Sequence, residues 1–241
     1  MDENEMANLF DVTYNNITSN QAPGLSDYEV SLFLTKAQNE LLKNYFNPKG
    51  NKYGEGFDYS PKRHIDFSNV IMVKEYRHSD IEHEEQENDS FEIPVDDDLN
   101  IMMMLNEEVR VTRGNRKRVL LSVVPIAAEE YQRIITKPYK RPLKHQAWRI
   151  INHPSDHKVF LIVVGPGDIL DSYTMRYVRR PRPIIISNLP NDLSIDGKKK
   201  QSSCELDDNI HEEIVQRAVE LAKTAWQGDL NSTIQAGQRS E

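Results

Sequence analysis

Cysteine, long apolar runs and catalytic signatures are scarce in this sequence. Its 241 residues include a single cysteine, Cys204, so a disulfide within the chain and a cysteine-based zinc site are both excluded. No run approaches the roughly 20 apolar residues of a membrane helix. The acidic start, MDENE, is unlike a secretory signal. We therefore expect a protein that folds in a reducing cytoplasm and has no membrane partner.

Positive charge is also in short supply. The chain has 30 Lys and Arg against 38 Asp and Glu, a formal net charge of −8, which disfavours a general nucleic-acid-binding surface. Only 38% of the residues are hydrophobic and 28% are charged. This composition is typical of a small core with polar excursions, or of a subunit that completes its burial with partners.

The clearest pattern is a helix near the C-terminus, from about Asp208 to Gln227. Small and aliphatic residues recur there at spacings of three and four, the period of one helix face: Ile210, Ile214, Ala218, Leu221, Ala222 and Ala225. Asp207 or Asp208 is a suitable N-cap, and Gly228 follows the end. The alanine-rich face predicts packing against other helices.

Two more helices are predicted near the N-terminus. Ser26 and Glu29 have the spacing of a capping box, and the apolar stripe that begins at Val30 predicts a helix to about Tyr45. Residues 4–19 are weakly amphipathic. The polar tail after Gly228 is expected to be flexible in an isolated subunit.

The middle of the chain favours strands. The predicted strands are 91–95, an edge strand because Pro94 cannot donate to a ladder, and 119–125, 146–152, 159–165 and 172–178. Residues 101–111 are ambiguous, residues 65–74 slightly favour a helix, and residues 125–135 predict a helix of about three turns. Residues 190–203 predict a polar loop.

These elements predict an α+β fold, because helices lie at both ends with the strands between them. We expect the terminal helices to pack together in a small bundle, with an inserted, mainly antiparallel β region. The predicted parts are an N-terminal helical part (1–50), a β-rich insertion (51–203), the C-terminal helix (204–228) packing on the N-terminal helices, and a tail (229–241).

Candidate catalytic groups lack the context that catalysis needs. His78, Asp80 and His83 have a spacing that fits no standard metal pattern and lie in an acidic segment with few apolar residues. Ser155, near several histidines, lies in a turn without a nucleophile elbow. Pro166 removes an amide from the Gly165–Gly167 turn that a phosphate loop would use. We expect no enzymatic activity, no cofactor and no metal.

Basic clusters with aromatic neighbours are better candidates for function. Arginine and aromatic side chains are enriched at the centres of protein interfaces, and they also bind nucleic acids. The acidity of the whole chain favours the interface interpretation over DNA contact. The predicted interface residues are Tyr139, Arg141, Trp148, Tyr177, Arg179, Arg180, Arg182 and Trp226.

Four stretches resemble structural proteins of tailed bacteriophages, especially those of the crAss-like phages of gut bacteria. They are LSDYE (25–29) through ELLKNYF (40–46), KPYKRP (137–142), YVRRPRPII (177–185) and CELDDNIHEEIV (204–215). The order of elements is more loosely similar to the head-to-tail adaptors of short-tailed phages, whose closing helix follows a Leu-x-x-x-x-His-Glu-x-Ile pattern. Together the stretches cover about a third of the chain.

The resemblance implies a ring-forming connector. Copies of the chain, expected to number twelve, would stack below the portal at the head–tail junction of the virion, after assembly in the bacterial host cytoplasm. Expected partners are the chain itself, the portal, neighbouring ring or tail proteins, and double-stranded DNA that passes through without sequence-specific binding. The alternatives are another tail or minor capsid component and, from a different class, a metal-dependent hydrolase or nuclease using His78, Asp80 and His83.

Overall fold

The computed structural model describes residues 1–17, 24–46, 65–80, 89–135, 137, 140–152, 158–190 and 192–227. The helices of eight or more residues in this part of the chain are α1 (Glu3–Ile17), α2 (Asp27–Phe46), α3 (Ala128–Ile135) and α4 (Asp208–Gln227). The strands are β1 (Ile71–Arg77), β2 (Ser90–Val95), β3 (Ile101–Arg113), β4 (Arg116–Ile126), β5 (Gln146–Asn152), β6 (Lys158–Val163) and β7 (Asp168–Arg179). The predicted α+β class is confirmed.

The chain divides into two compact units. The helical unit comprises residues 1–70 and 181–241, and the sheet unit comprises residues 71–180. Each has its own set of buried apolar side chains. The four-part division expected from the sequence stays a prediction, and its tail, 229–241, lies outside the described residues.

In the helical unit, α4 contacts both α1 and α2. The buried apolar faces follow the helical period: Met6, Phe10 and Tyr14 on α1, Val30, Leu34 and Ala37 on α2, and Ile214, Ala218 and Ala222 on α4. Arg217 of α4 binds both carboxylate oxygens of Glu40 on α2, at 2.6 and 3.2 Å. The alanine-rich face of α4 is therefore the side that packs against helices of the same chain.

Both predicted helix starts are capped as expected. The Ser26 amide donates to Glu29 Oε2 at 2.8 Å, and the Glu29 amide donates to Ser26 Oγ at 3.4 Å. The bonds from Ser26 hold the pKa of the exposed Glu29 carboxyl below its usual value. At α4, Asp207 Oδ1 accepts from the Asn209 amide at 3.1 Å, so Asp207 is the N-cap of this helix.

The sheet unit is built on one seven-stranded sheet in the order β1-β7-β3-β4-β5-β6-β2. All its strand pairs are antiparallel except β4 with β5. The parallel pair is explained by the crossover through α3, which follows β4 and packs on β5. The run from Lys158 to Val163 is an interior strand, β6, and Ser90–Val95 forms the predicted edge strand, β2.

Both edge strands carry features that oppose further pairing. Pro94 in β2 has no amide hydrogen to donate. In β1, Lys74 shares a face with the buried Tyr76, and its ammonium lies 4.0 Å from Asp96. An inward-pointing lysine on an edge strand discourages a second sheet from extending the ladder.

Two predicted segments differ in the structure, and the structure assigns one ambiguous segment to a strand. The helix slightly favoured for 65–74 is wrong beyond residue 66, because the segment passes through a 3-10 turn, Ser68–Val70, into β1. Pairing with β7 along the whole of β1 overrides the weak local preference. The helix predicted from residue 125 begins only at Ala128, because Pro125 and Ile126 pair with β5. The ambiguous segment 101–111 lies within strand β3.

The polar loop predicted for 190–203 contains an ordered turn instead. Ile195 and Lys198 exchange two backbone hydrogen bonds of 2.9 Å, and Ile185 pairs with Ser202 in the same way. The turn residues Asp196 and Gly197 have φ values of 48° and 74°. Two positive φ values in succession are typical of a tight type I′ turn.

Residues 47–64 and 81–88 lie outside the described residues. Among the helices that the structure describes, none is long and apolar enough to cross a membrane.

Candidate assembly surfaces

A polar stripe on α2 holds the chain that leaves the sheet unit. Ser31, Thr35 and Gln38 are buried and recur at spacings of four and three, so they share one face of the helix. The Thr35 hydroxyl accepts from the Ile184 amide at 3.0 Å and donates to the Ile184 carbonyl at 3.2 Å. Ser31 Oγ accepts from the Ile186 amide at 3.1 Å, and Gln38 Nε2 donates to the Arg182 carbonyl at 2.9 Å.

These three side chains replace a neighbouring strand. The segment 182–186 lies outside the named strands, and its residues 183–186 are buried, so their backbone groups need partners. On one side it is bridged at Ile185 to Ser202, and on the other side α2 supplies side-chain donors and acceptors. The stripe was missed in the sequence because Ser, Thr and Gln on an otherwise apolar helix face give no signal of which backbone they meet.

A buried ionic cluster crosses the interior of the sheet unit. Arg149 Nε lies 2.8 Å from Glu107 Oε1, and their side chains are only 8% and 7% exposed. The Tyr173 hydroxyl donates to Glu107 Oε1 at 2.5 Å, and the Arg149 guanidinium lies 5.1 Å from the centre of the Phe160 ring. Burial and the adjacent carboxylate raise the pKa of Tyr173, so it stays a neutral donor.

The predicted interface residues of the sheet unit occupy different environments. Arg141 is exposed and lies 3.4 Å from Asp89. Trp148 is half-buried on β5, while Tyr177 is only 4% exposed within the sheet core. Arg179 ends β7 and is half-buried, and the exposed Arg180 donates its amide to the Asn100 carbonyl at 2.9 Å.

The other predicted interface residues are partly described. Arg182, in the helical unit, is 59% exposed at its side chain and lies 3.0 Å from Glu205. The side chain of Trp226, in the last turn of α4, and all of Tyr139 lie outside the described residues. The assignment of all eight residues to an interface stays a prediction. Among the six whose side chains the structure describes, Arg141, Arg180 and Arg182 are exposed.

The histidine cluster considered for metal binding is only partly described. His78 Nδ1 lies 2.8 Å from the Leu170 carbonyl, and His83 lies outside the described residues. Within the described ranges, no group of three or more His, Cys, Asp or Glu side chains has the geometry to hold a metal ion. His78 is thus engaged with the backbone of β7.

Cys204 is a structural thiol. Its Sγ donates to Gln38 Oε1 at 3.2 Å, and burial raises its pKa to about 12. A thiol with so high a pKa is a poor nucleophile and a poor metal ligand at neutral pH. The Gln38 side-chain amide therefore bridges two groups: its Oε1 accepts from the Cys204 thiol, and its Nε2 donates to the Arg182 carbonyl.

The outward faces of α2 and α4 differ in charge. The exposed charged residues of α4 up to residue 220 are all acidic: Asp208, Glu212, Glu213 and Glu220. On α2, the exposed charged residues beyond the first turn are basic, namely Lys36 and Lys43. The helical period that predicts the buried face of α4 also places its exposed glutamates together, so this contrast is visible in the sequence.

Comparison with known proteins identifies the family of this chain. Residues 1–234 match the family model described as phage tail ring protein 3/4. The chain is 45% identical to "Ring protein 4/5" of Bacteroides phage crAss001 over an alignment of 247 residues, which covers 100% of both chains. It is 32% identical to "Ring protein 3" of the same phage over 204 residues, which covers 82% of this chain and 84% of that protein.

The molecule is therefore a structural protein of a tailed-phage virion, as the sequence resemblance predicted. More narrowly, the chain belongs to the phage tail ring protein 3/4 family.

Proposed function

We propose that copies of this chain assemble into a closed ring in the head-to-tail connector, below the portal, around the channel through which DNA leaves the capsid. The observation that carries the proposal is the 45% identity, over the full length of both chains, to a protein named "Ring protein 4/5". The ring would contain twelve copies and act without catalysis or a cofactor. Its partners would be the portal, neighbouring ring or tail proteins, and the DNA in transit.

The edges of the sheet favour side-chain surfaces for the ring contacts. A closed ring of identical subunits needs two different surfaces that repeat around the axis. Extension of the sheet from one copy to the next is opposed by Pro94 at one edge and by Lys74 at the other. The net charge of −8 suits a channel wall to which DNA does not adhere.

Native mass spectrometry and negative-stain microscopy test the proposal directly. The chain would be measured alone, with its portal and with the other ring proteins of the same phage. We expect closed rings in at least one of these mixtures. A chain that stays strictly monomeric in all of them would overturn the proposal.

A second candidate places the ring farther along the tail. The matching family is described as a tail ring protein, and the chain resembles proteins that carry different ring numbers. In this case the chain would bind another ring protein and not the portal. Pairwise binding to each purified partner separates the two positions.

Charge reversal at the end of β7 separates subunit contacts from DNA contacts. Arg179→Glu with Arg180→Glu should abolish rings and leave far-UV circular dichroism unchanged if these residues lie between subunits. Arg116→Glu with Arg118→Glu, which reverses two exposed arginines near the β3–β4 turn, is the matched control. Rings that persist with altered DNA retention would assign Arg179 and Arg180 to DNA instead.

A further inference from the structure

The exposed charges of the helical unit are segregated by helix. Solvated helix surfaces commonly mix signs at spacings of three and four, because opposite charges there stabilise the helix and like charges destabilise it. The outward face of α4 carries Glu212, Glu213 and Glu220, while the outward face of α2 beyond its first turn carries Lys36 and Lys43. Among the described residues of these stretches, neither face has an exposed side chain of the opposite sign, although the partly buried Arg217 pairs with Glu220.

The two charged faces also match in spacing. Lys36 and Lys43 are seven residues apart, and so are Glu213 and Glu220. Seven residues of helix rise about 10.5 Å and return to nearly the same side of the axis. Two lysines and two glutamates would therefore face each other simultaneously across a pair of roughly aligned helices.

The groups on both faces remain available for a partner. The Glu213 carboxylate accepts from the Tyr45 hydroxyl through Oε2 at 2.9 Å, and Glu220 binds Arg217 through Oε2 at 2.7 Å. Among the contacts of the described residues, neither Oε1 has a partner and neither Lys36 nor Lys43 forms an ion pair. Leu32, 42% exposed on the same side of α2 as Lys36, adds apolar area beside the lysines.

We propose that the acidic face of α4 in one copy docks on the basic face of α2 in the next copy, and that this contact is the repeating contact of the ring. The inference rests on the proposed ring function and names the partner surface. The contact is heterologous, as ring closure requires, because the two faces belong to different helices. Complementary charge supplies the specificity and the salt dependence of such a contact.

Charge-swapped variants test the contact regardless of the relative direction of the helices. Lys36→Glu with Lys43→Glu should weaken assembly about tenfold or more, because two attractive pairs become repulsive. Glu213→Lys with Glu220→Lys should do the same. A chain that carries all four changes should recover rings, because the attraction is restored with the signs exchanged. The readout is the ring fraction in native mass spectrometry, in the mixture in which the unaltered chain forms rings.

Lys198→Glu with Lys200→Glu is the matched control, since it makes the same charge change at exposed lysines of the same unit. It should leave the ring fraction unchanged. Circular dichroism of each variant verifies the fold, and mixing the two opposite double variants should give mixed rings even if the fourfold variant folds poorly.

Three results would overturn the contact. Rings that persist in both double variants would place the subunit boundary elsewhere while leaving the proposed ring function intact. A control variant as defective as the others would indicate a nonspecific effect of charge or a contact through the turn at Asp196. Failure of the unaltered chain to form rings in any mixture would remove the ring function itself.

Discussion

The two units of this protein satisfy buried polar groups in different ways. In the helical unit, Ser31, Thr35 and Gln38 are neutral and bond to the backbone of the segment 182–186. In the sheet unit, Glu107 and Arg149 are charged and bind each other inside the sheet. The first arrangement supplies hydrogen-bond partners to amides and carbonyls of a segment 144–155 positions away in the sequence, whereas the second pairs two ions on strands of the same sheet.

The difference predicts unequal sensitivity to substitution. A neutral hydrogen bond contributes about 0.5–1.5 kcal/mol to stability. A buried ion pair contributes little net stability, since the attraction is offset by desolvation of both ions, yet removal of one partner leaves a buried charge. The sheet unit should therefore respond most strongly to the loss of a single side chain.

Removal of the Glu107 carboxylate should have the largest effect. In Glu107→Leu, Arg149 stays buried without its counter-ion, and the Tyr173 hydroxyl loses its acceptor. We expect the free energy of unfolding to fall by about 3–5 kcal/mol. Urea denaturation measures the loss, and amide hydrogen exchange should show faster exchange in β3, β5 and β7 than in α2 or α4.

The paired substitution separates the ion pair from simple packing. Glu107→Leu combined with Arg149→Met should recover most of the lost stability, because no buried charge remains. Glu108→Gln, at the neighbouring position of β3, should have little effect. A double variant as unstable as Glu107→Leu would show that shape, and not charge, determines the cost.

Removal of the Thr35 hydroxyl should cause the second-largest loss of stability. Thr35→Val keeps the shape of the side chain but leaves both the Ile184 amide and its carbonyl without this partner. We expect a loss of about 1–3 kcal/mol, which is the cost of buried polar groups without hydrogen bonds.

Thr224→Val is the control for Thr35→Val. The Thr224 hydroxyl donates to the Glu220 carbonyl at 2.8 Å within α4, in a more exposed position. This variant should lose less than about 0.5 kcal/mol. Equal losses in the two variants would contradict the role of the α2 stripe as a substitute strand.

The sequence allowed the helices to be predicted better than the interior polar groups. The period of Ile210, Ile214 and Ala218, together with caps at Asp207 and Ser26, is local information and gave the bounds of α4 and α2 closely. The Glu107–Arg149 pair joins residues 42 positions apart, and its partners could not be identified without the strand order.

The family was also accessible from the sequence, whereas the surfaces were not. Four short stretches indicated a tailed-phage structural protein, and the comparisons bear this out. The assignment of interface residues rested on residue type alone. Residue type cannot distinguish the exposed Arg180 from Tyr177, which is buried in the sheet core.

Loss of the α2 cap should have a smaller effect, limited to the helical unit. Ser26→Ala removes the hydroxyl that accepts from the Glu29 amide and also bonds the Glu29 carboxylate at 2.8 Å. We expect a loss of about 1 kcal/mol. Ser203→Ala, at an exposed serine in the same unit, should change stability much less, and urea denaturation of both variants compares them. If Ser26→Ala left the stability unchanged, solvent would cap the helix equally well.

Alkaline pH should give the smallest effect, and it should weaken the helical unit before the sheet unit. The pKa of Cys204 is raised from 9.0 to about 12 in the folded chain, so its contribution to stability is complete below pH 9 and is lost as pH rises toward 12. The loss should be about 0.8 kcal/mol near pH 9.5. The pKa of Tyr76 in the sheet unit is also raised to about 12, but from 10.0, so its effect on stability begins about one pH unit higher.

Urea denaturation from pH 7.5 to 9.5 measures the loss of stability, which Cys204→Ser should reduce. Thiol alkylation at pH 8 should be slow until urea unfolds the helical unit. Rapid alkylation of the native chain, or an unchanged pH dependence in Cys204→Ser, would show that Cys204 does not report on this unit.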